Sequence, residues 1–193
     1  MSNMKNKEIV VPTIVMVAIC LVVTLALSGT NLLTKNKIAE ISKADQDNSM
    51  KEVLSADSYN EKTAAKDGTE YTYYEAEQSG EKIGYIFVTS KKGYGGDDKV
   101  MTAITTDGTI KAVKVLDVSN ETPGLGQNTG NKDWYSQFSG MAKGDIQVVK
   151  NGASKENGTV NAVTGATISS KAVTDAVNTA YGYFTDLTKA GGN

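Results

Sequence analysis

Three short glycine-bearing segments, far apart in the chain, hold the residues that could do chemistry. The last, Asn161-Ala162-Val163-Thr164-Gly165-Ala166-Thr167, runs straight into a helical pattern. It sets the Thr167 hydroxyl on a small-residue turn at the mouth of a helix. A helix start presents unpaired N–H groups and the positive end of the helix dipole, so it suits a phosphate. A threonine there can hold a phosphate by hydrogen bonds or be esterified to one. The other segments are Lys92-Gly93-Tyr94-Gly95-Gly96 and Glu121-Thr122-Pro123-Gly124-Leu125-Gly126. Each follows a strand-like run, and glycine lets a backbone approach a ligand closely. Taken singly, each also reads as a plain turn. Gly124-Leu125-Gly126 is not a dinucleotide fingerprint, because Thr129 stands where a further glycine belongs.

Several chemistries are excluded by composition. The 193 residues include no histidine, which removes Ser-His and Cys-His triads, imidazole metal ligands and histidine general bases. The single cysteine, Cys20, lies inside an apolar run, so an internal disulfide, a cysteine zinc site and an iron–sulfur centre are all out of reach. Redox chemistry would therefore need an organic cofactor. A net charge of −2 without a basic patch speaks against nucleic acid. Asp45-Gln46-Asp47-Asn48 faintly resembles a calcium loop, but Met50 replaces its glycine and Ala56 its last ligand, so it reads as a solvated turn.

These segments need a scaffold. Ser169 to Leu187 predicts a helix, with Ala172, Val173, Ala176, Val177, Ala180, Tyr181 and Phe184 forming one apolar stripe and Ser169 or Ser170 capping its start. Strands are expected near 71–77, 82–90, 100–105, 110–118 and 146–150, with Ile83, Tyr85, Phe87 and Thr89 sharing a face. Ser79-Gly80-Glu81 and Asp107-Gly108 are turn signals, and 133–138 suits one or two helical turns. The expected fold is mixed α+β, an antiparallel sheet with a long C-terminal helix, over residues 70–190.

Ile9 to Leu27 carries no charge and at helical rise spans about 29 Å, close to a bilayer's hydrocarbon core. An uncleaved anchor over 9–28 is favoured over a signal peptide, whose apolar core is shorter. Pro12 is expected in its first turn. Lys5 and Lys7 favour a cytoplasmic start at 1–8, and Lys35 and Lys37 blur that bias. Residues 29–69 read as a juxtamembrane linker with helical character, helped by Ile38 and Ile41.

The ordered set Gly-Tyr-Gly-Gly, Glu-Thr-Pro-Gly-Leu-Gly and Thr-Gly-Ala-Thr before an alanine- and valine-bearing helix resembles the FMN-binding domain family of the Rnf and Nqr respiratory complexes, nearest its Rnf branch. The resemblance covers nearly the whole chain, anchor included, and is weakest between about 31 and 66. It implies FMN joined by its phosphate to Thr167, installed by a separate flavin transferase that uses FAD and a divalent metal. It also implies a cofactor site made of Thr164, Gly165, Ala166, Ile168 and Ser169, of Tyr94, Gly95 and Gly96, and of Glu121, Thr122, Gly124, Leu125 and Gly126. Tyr94 would stack on the ring, Thr122 would bond its edge, and Glu121 would accept a proton or close its loop. Asn161 stands where the family's motif commonly has aspartate.

By that resemblance the chain is an electron-carrying subunit of an ion-translocating ferredoxin:NAD⁺ oxidoreductase, not a complete enzyme. Its partners would be the other membrane subunits, the transferase and membrane lipid, with the FMN domain on the extracytoplasmic side. Two other readings compete: a subunit of the Nqr quinone reductase or a free-standing surface flavoprotein, and a cofactor-free anchored binding module.

Overall fold

The computed structural model describes the backbone of residues 2–66 and 68–190. The side chains of residues 2–9, 32–43 and 190 lie outside that description, and with them Lys5, Lys7, Lys35, Lys37, Ile38 and Ile41. The chain forms two compact units, 1–47 and 48–193.

The first unit is helix, the greater part of α1 (Ser2–Val53). Val10–Asn31 is long and apolar enough to cross a membrane, and none of it is buried inside the protein. Pro12 lies within the helix instead of in its first turn, because the helix starts at Ser2. Having no N–H, Pro12 forgoes one bond to the preceding turn. Asp45 to Asn48 is helical too, not the solvated turn expected.

The second unit is a five-stranded antiparallel sheet in the order β1-β2-β3-β4-β5. Its strands are β1 (Ser58–Lys66), β2 (Thr69–Gln78), β3 (Glu81–Lys92), β4 (Asp97–Thr105) and β5 (Ile110–Asp117). Two tight turns do the joining that the sequence suggested. Ser79 and Gly80 both have positive φ, at 54° and 82°, which a two-residue hairpin turn requires. Gly108 has φ 86°, and Asp107 accepts hydrogen bonds from Thr105 and Thr109 beside it.

Beyond β5 come a 3₁₀ turn (Gly126–Gly130), α2 (Lys132–Tyr135), a second 3₁₀ turn (Ser136–Phe138) and the short parallel pair β6 (Gln147–Val149) and β7 (Thr159–Asn161). The long α3 (Thr167–Ala190) closes the chain. The fold is the expected α+β arrangement.

β1 falls inside the stretch read as a linker. Most of its side chains are exposed, so it lacks the half-buried alternation that marks a strand, and it joins the sheet through backbone pairing to β2.

One face of the sheet packs on α3. Phe87, Val100, Ile104, Ile110 and Val113 meet Val173, Ala176, Val177, Ala180 and Phe184 in a single cluster. Burying each large side chain there stabilises by roughly 1.5–3 kcal/mol. Thr89 Oγ1 donates to the Ala176 carbonyl at 2.9 Å and fixes the helix against β3. The other face is covered by Met50, Val53 and Leu54 over Ala76, Ile86, Met101 and Ala103.

Ile83 sits on this second face, not with Tyr85 and Phe87 as expected. The register of β2 and β3 shifts beside it, where Ala76 pairs with Gly84 and Glu77 with Lys82. Ile83 is the extra, unpaired residue of that bulge, which turns its side chain over.

Candidate cofactor site

α3 begins at Thr167, two residues earlier than the sequence suggested, and neither Ser169 nor Ser170 caps it. The helix opens instead on the carbonyl of Ala166, which accepts from Ser170 N–H at 2.9 Å. Ser170 Oγ is used locally: it donates to Ala166 O and accepts from Val163 N–H at 3.0 Å. Gly165 takes φ 78°, a conformation that favours glycine, and so turns the chain from β7 into α3. Thr167 and Ile168 are left exposed on the first turn. The N–H groups of that turn have no carbonyl one turn back.

The three sequence-distant segments meet at this point. Tyr94, Glu121, Thr122, Leu125, Gly126, Gly165, Ala166, Thr167, Ile168 and Ser169 line one cleft of about 610 Å³. Tyr94, Leu125 and Ile168 are exposed, and outside α1 they are the exposed large hydrophobic side chains among the described residues. All three stand on this cleft, so its rim is apolar where the rest of the unit is polar.

Glu121 holds the loops together from beneath. It is 2% exposed. Its Oε1 accepts from Gly95 N–H at 2.9 Å and its Oε2 from Ser169 Oγ–H at 2.6 Å. One carboxylate thus ties the Gly93–Gly96 turn, its own loop and the first turn of α3 together.

The glycines are needed for closeness. A Cβ on Gly95 would strike the Asn120 carbonyl, and one on Gly96 the Asn120 side chain. A Cβ on Gly126 would strike Glu121 and approach Ser169 Oγ to 2.7 Å. Gly124 has φ 76° and open space around it, so its role is the turn itself.

Most of the expected site residues therefore converge. Gly95 and Gly96 stand behind the lining, Gly124 shapes the loop, and Thr164 is exposed beside Gly165 without lining the cleft. Lys171 is exposed and does not line it either. Asn161 lies on β7, where its Oδ1 accepts from Ala153 N–H at 3.1 Å and its carbonyl from Trp134 Nε1–H at 2.7 Å. Asparagine is thus bound into the local fold here.

Two more residues form the base of the site, of which Asp98 was not singled out in the sequence. Asn120 is the surface against which Gly95 and Gly96 pack. Asp98 is buried on β4 next to Glu121, since a Cβ on Gly93 would meet carboxylate oxygens of both. Burial, then repulsion from Glu121, Asp117 and Asp97, pushes Asp98 up to about 7. The signal for it was an acid in phase with Val100, Thr102 and Ile104, on the strand face that packs inward.

The arrangement fits a phosphorylated planar cofactor. It offers an anion-binding helix start, a free hydroxyl at that start, glycine turns that admit a close approach, and an apolar rim. Among the described residues no group of three acidic, histidine or cysteine side chains could hold a metal ion.

Residues 93–182 match the family described as FMN-binding domain. The chain is 34% identical to the G subunit of the Na⁺-translocating ferredoxin:NAD⁺ oxidoreductase complex of Acetobacterium woodii, over 91% of each chain. It is 32% identical to the G subunit of the proton-translocating ferredoxin:NAD⁺ oxidoreductase complex of Clostridium ljungdahlii, over 88% of each. Among solved structures, NqrC of Shewanella oneidensis has the same fold, with a TM-score of 0.56 at 24% identity, covering 67% of this chain and 69% of that one.

Proposed function

The chain belongs to the FMN-binding domain family and, within it, to the G subunits of ion-translocating oxidoreductase complexes; from that membership we propose that it carries FMN covalently on Thr167 and relays electrons inside a membrane ferredoxin:NAD⁺ oxidoreductase. The observation that carries this reading is the convergence of three sequence-distant loops on one cleft, with the Thr167 hydroxyl exposed at its edge.

FMN supplies reversible electron uptake and release when bound, and the protein supplies placement and electrostatics. Thr167 would hold the phosphate as an ester, and the N–H groups of the first turn of α3 would neutralise its charge. With FAD as donor, a flavin transferase would join Thr167 Oγ1 to the FMN phosphorus, releasing AMP and the hydroxyl proton. Tyr94, Leu125 and Ile168 offer apolar surface to the ring, and Thr122 a hydroxyl at its edge. Glu121 keeps the three loops in register from below.

A covalent tether suits a domain outside the cytoplasm, because a lost cofactor could not be replaced there. The span Val10–Asn31 would anchor this domain on the extracytoplasmic side, beside the membrane subunits with which it exchanges electrons. In such a complex ferredoxin and NAD⁺ would bind to other subunits.

Intact-mass measurement tests the reading. The chain purified from a host with a flavin transferase is expected to gain the mass of one FMN less one water, and Thr167→Ala to gain nothing. A bare wild-type chain from that host would overturn it.

A further inference from the structure

Asp98 is the most deeply buried acid among the described residues, 1% exposed, and neither of its carboxylate oxygens has a hydrogen-bond partner. An ionised carboxylate in that position loses hydration and gains nothing in return. The charges that reach it are all acidic: Glu121 from the loop after β5, Asp117 at the end of β5, and Asp97 on its own strand. Lys91 is its register partner on β3, but it is exposed and no ion pair joins the two among the described residues. On α3, Lys171 and Asp175 are exposed as well. Among the described residues no cation compensates Asp98.

Glu121 is its near neighbour across the Gly93 turn, and the two differ in their donors. Glu121 receives Gly95 N–H and Ser169 Oγ–H, which stabilise a negative charge. Asp98 receives none, so of the two it is the acid that more readily accepts a proton. A metal ion in its place would need several more oxygen ligands, and among the described residues no three acids are placed to hold one. Glu121 also touches Ser169, two residues from Thr167 on the first turn of α3. Glu121 lines the cleft, so a change of charge there reaches the buried pair at short range, where burial weakens screening.

We propose that Asp98 is the proton-holding group of the flavin cleft: beside the Glu121 carboxylate it takes up a proton as negative charge enters the cleft and returns it as that charge leaves. This rests on the cleft being the flavin site. One electron from the one-electron donor in the complex adds one negative charge. One proton from bulk water then converts the Asp98 carboxylate to the carboxyl. When the electron passes to its acceptor, the proton returns to water, and no bond to the cofactor is made or broken. Asp98 is a positioning residue for charge and touches no reacting atom.

The test is infrared difference spectroscopy on the full chain in detergent, with flavin potential measured against pH. In flavin-free Thr167→Ala, a carboxylic-acid band is expected to titrate near neutral pH and to vanish when Asp98→Asn is added. In the flavin-loaded chain, reduction is expected to raise the same band, and the potential is expected to bend at the same pH. Asp98→Asn, isosteric with the protonated acid, should lose both. Glu121→Gln should move the midpoint of the band down by about one pH unit or more, since a negative neighbour is removed. A band that is absent, that survives Asp98→Asn or that ignores Glu121→Gln overturns the proton site. A band that titrates but does not respond to reduction overturns its coupling to the flavin. If the wild-type chain never acquires flavin, the functional reading fails while the Thr167→Ala titration still decides whether Asp98 holds the proton.

Discussion

Two buried acids at opposite ends of the sheet are treated in opposite ways. Glu75 on β2 is 6% exposed and sits between Lys62 on β1 and Lys82 on β3, at 2.7 and 2.8 Å. Burial alone pushes its carboxyl up, but the hydrogen bonds from the two lysines together outweigh burial and hold it below the usual range. Asp98 on β4 is buried as deeply and has no such partner, so burial and neighbouring acids raise it. The end of the sheet that only has to hold together has its charge paired. The end beside the cleft keeps an unpaired acid next to Glu121. An unsatisfied buried group costs stability, and it persists where function requires it.

Breaking the cleft end should have the largest effect. In Gly95→Ala the new methyl meets the Asn120 backbone, which cannot move without moving Glu121. A loss of about 3 kcal/mol or more is expected in thermal unfolding, together with loss of flavin loading. The matched control at the other end is Gly80→Ala, where the added Cβ has open space and only the positive φ resists, so a cost of about 1 kcal/mol is expected.

Asp98→Asn should invert the usual outcome of a buried substitution. Between the ordinary aspartate range and about pH 7 the folded chain holds a proton that the unfolded chain releases. Stability therefore falls as pH rises through that window, and the full penalty stands above it. Asn removes the penalty, so melting curves should show a gain of the order of 2 kcal/mol at pH 8 and almost none at pH 4.

Glu75→Gln should do the reverse. The lowered carboxyl contributes stability above its ordinary range, lost as pH falls through its lowered value. Because both lysines are partly exposed, screening limits the cost to about 1 kcal/mol at pH 7, vanishing in strong acid. If the two variants gave the same pH trend, the contrast between the two ends would be wrong.

The smallest effect concerns Thr102, fully buried on β4 with an unpartnered hydroxyl. Thr102→Val keeps its shape and removes the unmet group, so a gain of about 1 kcal/mol in denaturant unfolding is expected, independent of pH.

Local patterns made much of this molecule legible. The stripe from Ala172 to Phe184 predicted α3, and its residues do pack on the sheet. Asp107-Gly108 and Ser79-Gly80 predicted their turns, because positive φ is a local demand. The three glycine-bearing segments read singly as plain turns, and only the resemblance carried by their ordered set made them candidates for one site. Three features were not legible. β1 was missed because its side chains stay mostly exposed. The bulge that turns Ile83 over depends on pairing with β2. The helix start at Thr167 depends on the turn at Gly165 and on Ala166 accepting from Ser170 N–H, which the apolar stripe further along α3 does not reveal.

By itself the sequence determined an apolar span, an α+β domain, the absence of histidine and a threonine hydroxyl at the mouth of a helix. Those are properties of composition and of short-range periodicity. Only the tertiary structure brought residues 94, 121 and 167 to one cleft and left Asp98 without a donor. Convergence and burial are made by long-range pairing and packing, and no local window of the chain contains them.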